Sequence, residues 1–200
     1  MGTAVDGVEG AFAEESEMTS KVFIAMRVPA DPMRTFAVFT EEIALWWQPS
    51  GLFRVGATGD GRLAFEPGVG GRLYTTFDDG STFEIGRVSV WEPGRRLVFA
   101  WRQASFSTEQ STEVEVLFEA VGEGATHASR RMTREGHPRI DAERAAPAQV
   151  ETRVSIEHRA WDSIPRKHVA RHGFPEHVTL QRAADWWRGS LEALRGRVAG

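Results

Sequence analysis

His158 is the residue with the clearest capacity for chemistry. In "VETRVSIEHRAW" (150–161) alternation puts it on one strand face with Val154 and Ile156, while Arg153, Ser155, Glu157 and Arg159 take the other. An imidazole on an apolar face could hold a ligand carbonyl or act as a general base near neutral pH. Two oxygens could complete a proton shuttle on a bound ketone. Tyr74, the lone tyrosine, lies in "GRLYTTF" (71–77), and Glu113 lies in "TEVEVLFEA" (112–120). Each also has a plainer reading: a core histidine bonded to backbone or water, a ring packed on a sheet, and a carboxylate sharing a polar face with Glu115 and Glu119.

The second chemistry is apolar recognition. Trp46, Trp47, Phe65, Phe83, Phe99, Trp101, Phe118 and Trp187 recur at strand or helix spacing, which ordinarily marks core. Gathered on one inner surface, they would line a pocket for a small hydrophobic or aromatic molecule, with Tyr74, His158 and Trp186 beside them. Metal chemistry is weaker. His168 and His172 stand four apart with His177 nearby, but Gly173 and Pro175 interrupt the segment and no carboxylate has ligand spacing. No metal and no cofactor is assigned. "PGVGGR" (67–72) lacks the Lys-Ser/Thr ending and the following helix of a phosphate loop, so it reads as a turn.

The elements that must position these residues follow from periodicity and breakers. "KVFIAMRVP" (21–29) reads as a strand, after which Asp31 caps a helix with Pro32 at its first position and Phe36 and Phe39 on one face. Thr40, Glu41 and Glu42 begin a second short helix that Pro49 and Gly51 close. Adjacent helical residues point about 100° apart, so Trp46 and Trp47 should not both face one core. Short strands joined by turns at "DDGS" (78–81) and "EPGR" (92–95) make an antiparallel meander. Leu180, Ala183, Ala184, Trp187, Leu191, Leu194 and Val198 form the apolar stripe of a long last helix, which Trp186 flanks. Residues 122–149 have no sustained period and read as an insertion, mobile or weakly helical.

Composition narrows the classes. At 41% hydrophobic and 26% charged, the 200 residues suit one globular domain. A formal charge of -4 argues against nucleic acid as partner. The absence of cysteine fits a reducing cytoplasm. Residues 1–20 read as a disordered leader, and no apolar run approaches the roughly 20 residues of a membrane span. A homodimer is compatible with this composition.

"FTEEIALWW", "GGRLY", "DGSTFEIGRV", "WEPGRRLVFAW", "TEVEVLFE" and "EHRAWD" occur in an order that resembles the START-like (SRPBCC, birch-pollen-allergen-like) superfamily. Within it, the chain is most similar to the branch named for the activator of a heat-shock-protein ATPase. The likeness covers about residues 21–121 and 150–195, and the 122–149 segment departs from it. It implies an α+β helix-grip fold: a curved antiparallel sheet wrapped around a long C-terminal helix, with two short helices after the first strand and a largely apolar cavity. Three functions follow from it in order of preference. They are binding of a small hydrophobic or aromatic ligand, a cyclase- or hydrolase-type reaction using His158 with Tyr74 or Glu113, and chaperone ATPase activation. A chaperone partner ranks last, because the extra N-terminal domain of such relatives has no counterpart here.

Overall fold

The computed structural model describes residues 20–55, 61–122 and 150–200. The expected leader and insertion, apart from Ser20 and Gly122 at their edges, lie outside the described residues. Strand β1 (Val22–Val28) leads into helix α1 (Pro32–Glu41) and a single turn, α2 (Ile43–Trp46). The meander follows: β2 (Arg62–Phe65), β3 (Arg72–Thr76), β4 (Thr82–Glu92), β5 (Arg96–Trp101), β6 (Thr112–Val121) and β7 (Glu151–Arg159). Two 3-10 turns, Trp161–Ser163 and Val169–Arg171, connect β7 to α3 (Glu176–Ala199).

The seven strands form one antiparallel sheet in the order β1-β7-β6-β5-β4-β3-β2. Only β1 pairs out of sequence, against β7, with Val22 opposite His158 and Val28 opposite Thr152. The sheet curls around α3, giving the α+β helix-grip architecture. Strand β4 carries two irregularities. Its register slips once against β3 at Leu73/Tyr74 and once against β5 between Val88 and Val90, and such bulges bend a strand and sharpen its twist. At the bend Gly86 lies so close to β5 that an added Cβ would meet the Ala100 carbonyl oxygen at 1.8 Å. A side chain there would push the two strands apart.

Local signals explain the helices. Asp31 accepts a hydrogen bond from the Arg34 N–H at 3.0 Å and Pro32 opens α1, so the expected cap forms. Phe36, Val38 and Phe39 are buried against the sheet. Helix α3 buries Ala183, Trp187, Leu191, Leu194 and Val198 along the expected stripe, while Leu180 and Ala184 are half-buried. The first tryptophan pair departs from expectation. Glu41 ends α1 and α2 stops at Trp46, so Trp47 has extended backbone angles (φ -60, ψ 126). Freed from helical spacing, both rings turn inward, Trp46 fully and Trp47 nearly buried.

Glycine substitutions separate crowding from flexibility. Gly86→Ala should cost at least about 3 kcal/mol, the upper end for overpacking. Gly189, inside α3 with open space beyond its Cα, should gain about 0.5–1 kcal/mol on change to Ala. Chemical denaturation of the two variants should move the midpoint in opposite directions; equal shifts would refute the close approach at β4.

Candidate functional site

Six of the seven tryptophans meet between the sheet and α3. Trp47 is the hub: it stacks on Trp101 at 5.2 Å and lies edge-on to Trp186 at 5.0 Å and Trp187 at 5.6 Å, with Trp46 at 5.7 Å. Trp161 joins through His158, whose ring centre is 4.6 Å from its own. Ring pairs at these separations add packing energy beyond their area burial.

His158 is the polar centre of this shell. Its Nδ1 lies 3.1 Å from Trp187 Nε1, and an indole nitrogen only donates, so Nδ1 accepts and carries no proton. The proton of the neutral ring is therefore on Nε2, 2.7 Å from Thr112 Oγ1. Thr112 in turn donates to the Trp101 carbonyl at 3.2 Å. The relay runs from α3 through β7 and β6 to β5, with each donor matched to an acceptor. Burial away from water pushes the His158 pKa down from 6.5 to about 3, so the ring is neutral at physiological pH. A proton on Nδ1 would confront the Trp187 N–H, donor against donor. Both ring nitrogens are engaged within the fold, which is the arrangement of a structural histidine.

The other candidate shuttle groups lie elsewhere. Leu73 and Thr75 are the buried residues of β3, so Tyr74 faces the opposite side, where the Arg72 guanidinium covers its ring at 5.2 Å. Glu113 is on the outer face of β6 and accepts from Arg159 Nε at 2.7 Å. That bond, with Glu115 and Glu157 nearby, raises the Arg159 pKa and fixes Glu113 in a surface ion-pair lattice. The structure does not bring Tyr74 or Glu113 to His158. The expected pairing of His158 with Tyr74 or Glu113 inside one cavity is therefore absent among the described residues.

The aromatic set divides into three groups. Trp46, Trp47, Trp101 and Trp187 surround the relay. Phe118 packs with Phe36 and Phe39 under α1, and Phe99 is buried beside Phe65. Phe65 and Phe83 are half-buried toward the sheet's far end, where Arg102 covers Phe83. Trp186 is also half-buried; its Nε1 donates to the Gln48 carbonyl at 2.9 Å and its ring lies 5.5 Å from Phe53. Trp161, Phe53 and Thr112 complete the shell and were not expected there. Ala160 adopts a left-handed conformation (φ 64) that turns the chain back and sends Trp161 inward, a reversal that alternation does not signal.

His168 and His172 do not share a helix face. His168 caps a 3-10 turn, its Nδ1 accepting from the Ala170 N–H, and His172 Nε2 lies 2.9 Å from the Leu52 carbonyl. Among the described residues no group of three His, Asp or Glu is placed to hold a metal ion, and no helix is long and apolar enough to cross a membrane.

A curled seven-stranded sheet closed by a long helix over an aromatic interior defines the START-like class. The chain belongs to the Activator of Hsp90 ATPase homolog 1-like protein family, whose model matches residues 29–152. No curated protein matches it significantly in sequence. Among solved structures it is similar to a protein from Mesorhizobium loti, at 15% identity and a TM-score of 0.51 over 88% of this chain and 94% of that one. DynU16, from the dynemicin biosynthetic locus, is similar at 16% identity and a TM-score of 0.51, over 90% of this chain and 47% of its own length. An HSP90 activator from Plasmodium falciparum aligns at 16% identity with a TM-score of 0.47, over 84% and 87% of the two chains. At these identities the likeness is one of fold.

The relay sets a pH dependence. Unfolded, His158 takes up a proton near 6.5; folded, only near 3. Between those values the unfolded chain holds more protons, so this contribution is complete above about pH 6.5 and is lost as pH falls toward 3, by up to about 1.4 kcal/mol per unit. His158→Asn should therefore be less stable than wild type at neutral pH, with the difference shrinking on acidification. Urea titrations across that range check this, and parallel curves for the two proteins would contradict a buried neutral imidazole.

Proposed function

We propose that this protein binds a small hydrophobic or aromatic molecule between the sheet and α3. One observation carries the reading. Within the aromatic shell the Nε1 donors of Trp101 and Trp161, both fully buried, find no hydrogen-bond partner among the described residues. A buried donor left unpaired costs about 1–3 kcal/mol, and interiors that serve packing alone rarely retain one. Acceptor oxygens on a bound molecule would satisfy both, and the ring faces would hold its apolar body. Membership of a family with the helix-grip fold is compatible with this role. The rings touch one another, so a ligand enters by displacing Trp186, the half-exposed wall held to the Gln48 carbonyl.

A screen of apolar and aromatic metabolites, read by indole fluorescence and native mass spectrometry, should return a ligand that shifts the Trp101 and Trp161 indole N–H resonances. Trp186→Ala should alter its affinity while changing stability little, because a half-exposed ring gives up less area. Trp187→Ala should instead cost about 3–5 kcal/mol. Equal destabilisation by the two substitutions, with ligand affinity untouched by Trp186→Ala, would make the shell ordinary core.

A further inference from the structure

A groove of about 410 Å³ opens away from the aromatic shell, between the α2–β2 loop, the β5–β6 loop and the second 3-10 turn. Its walls are apolar at Leu52, Ala104, Val169 and Ala170. Val169 is 69% exposed among the described residues, whereas Ala170 rests on a small satellite core with Phe106 and Ile164. Its volume falls within the roughly 300–1,000 Å³ range of small-molecule sites.

Two of the polar groups around it offer open donors. Gln103 lines the groove and is only 3% exposed, yet its amide Nε2 has no partner among the described residues. An amide that deeply buried is ordinarily paired, so its open donor suits the acceptor of a bound ligand. Arg54 lines the same groove, exposed and without an ion pair among the described residues. Beneath the wall, Arg171 is 2% exposed and donates to the Ile164 carbonyl at 2.9 and 3.0 Å and to that of Trp161. No described carboxylate pairs with it, and its Nη1 is unpartnered. A buried guanidinium without a counter-charge leaves positive potential at the adjacent surface. Ser105 and His172 are the remaining polar lining groups, and His172 is held against the Leu52 carbonyl.

We propose that this groove is a second ligand site, which takes the carboxylate of a small amphipathic acid. The acid's apolar body lies on Leu52, Val169 and Ala170, and its carboxylate accepts from Gln103 Nε2 and pairs with Arg54. The site shares no lining residue with the aromatic shell, so it stands whether or not the interior binds a ligand.

The probe is 2-naphthoate, with 2-naphthylmethanol as the uncharged body and acetate as the bare carboxylate. Titration of the labelled full chain, followed by amide and indole resonances, should shift the Gln103 side-chain amide and the backbone of Leu52 and Ala170. The Trp101 and Trp161 indole signals should stay in place. Hydrogen bonds to charged groups are worth about 1.5–3 kcal/mol, so the alcohol should bind about tenfold or more weakly, and acetate should bind more weakly still. Arg54→Gln, at an exposed position that leaves the fold intact, should lower naphthoate affinity several-fold, and Gln103→Leu should do the same. No shifts with millimolar naphthoate, equal binding of the alcohol, or indifference to Arg54→Gln would overturn the proposal. Shifts confined to the indole signals would also overturn it, while supporting the interior site.

Discussion

Much of the molecule depends on keeping one imidazole dry. His158 receives the Trp187 N–H, passes its own proton toward Thr112, and Thr112 closes on the Trp101 carbonyl. These bonds join α3 to three adjacent strands, at the level where the sheet must stay curled around the helix. The arrangement holds one tautomer only, and removing any donor would strand a buried partner. Neutrality follows from position, because no charge near the ring offsets its burial. A carboxylate here would have raised the pKa and made the site responsive near neutral pH; its absence makes the histidine a fixed strut.

Around that strut, shape and charge are segregated. The inner surface is apolar, aliphatic along the strands and aromatic around Trp47, and the outer surface of β6 and β7 is an ion-pair lattice in which Arg159 reaches Glu113, Glu115 and Glu157. Exposed pairs of this kind contribute about 0–1 kcal/mol each. Their main effect is on register: a one-residue slip of β6 would carry Glu113 and Glu115 inward and expose Val114, Val116 and Phe118.

The fold was largely legible in the sequence because its signals are local. Asp31 with Pro32, the turns after β3 and β4, and the α3 stripe each sit within a few residues of the element they define. The site was legible only in part. His158 was placed on the inner face by alternation, but its partners lie 46 and 29 residues away, beyond the reach of any pattern. The inward turn of Trp47 depends on a helix that stops one residue short, and the return of Trp161 depends on the left-handed Ala160. For Tyr74 the sequence leaves both faces open, because β3 carries mixed residues on each and composition does not say which is wet. The stripe position of Trp187 and the flanking one of Trp186 are legible, since a 24-residue helix preserves its period across the whole contact.

The clustering of indoles around Trp47 also constrains how such a chain could diverge. Residues in direct contact do not contribute independently, and Trp47 touches four other tryptophans. A change at any one of them alters the fit of the rest, so single substitutions would be purged unless a neighbour had already changed. The interior is thus expected to drift in correlated steps, while the loops around its rim vary one residue at a time. Among descendants of one ancestor, kinship would then be easiest to recognise in the tryptophans and differences in specificity would accumulate first at the rim.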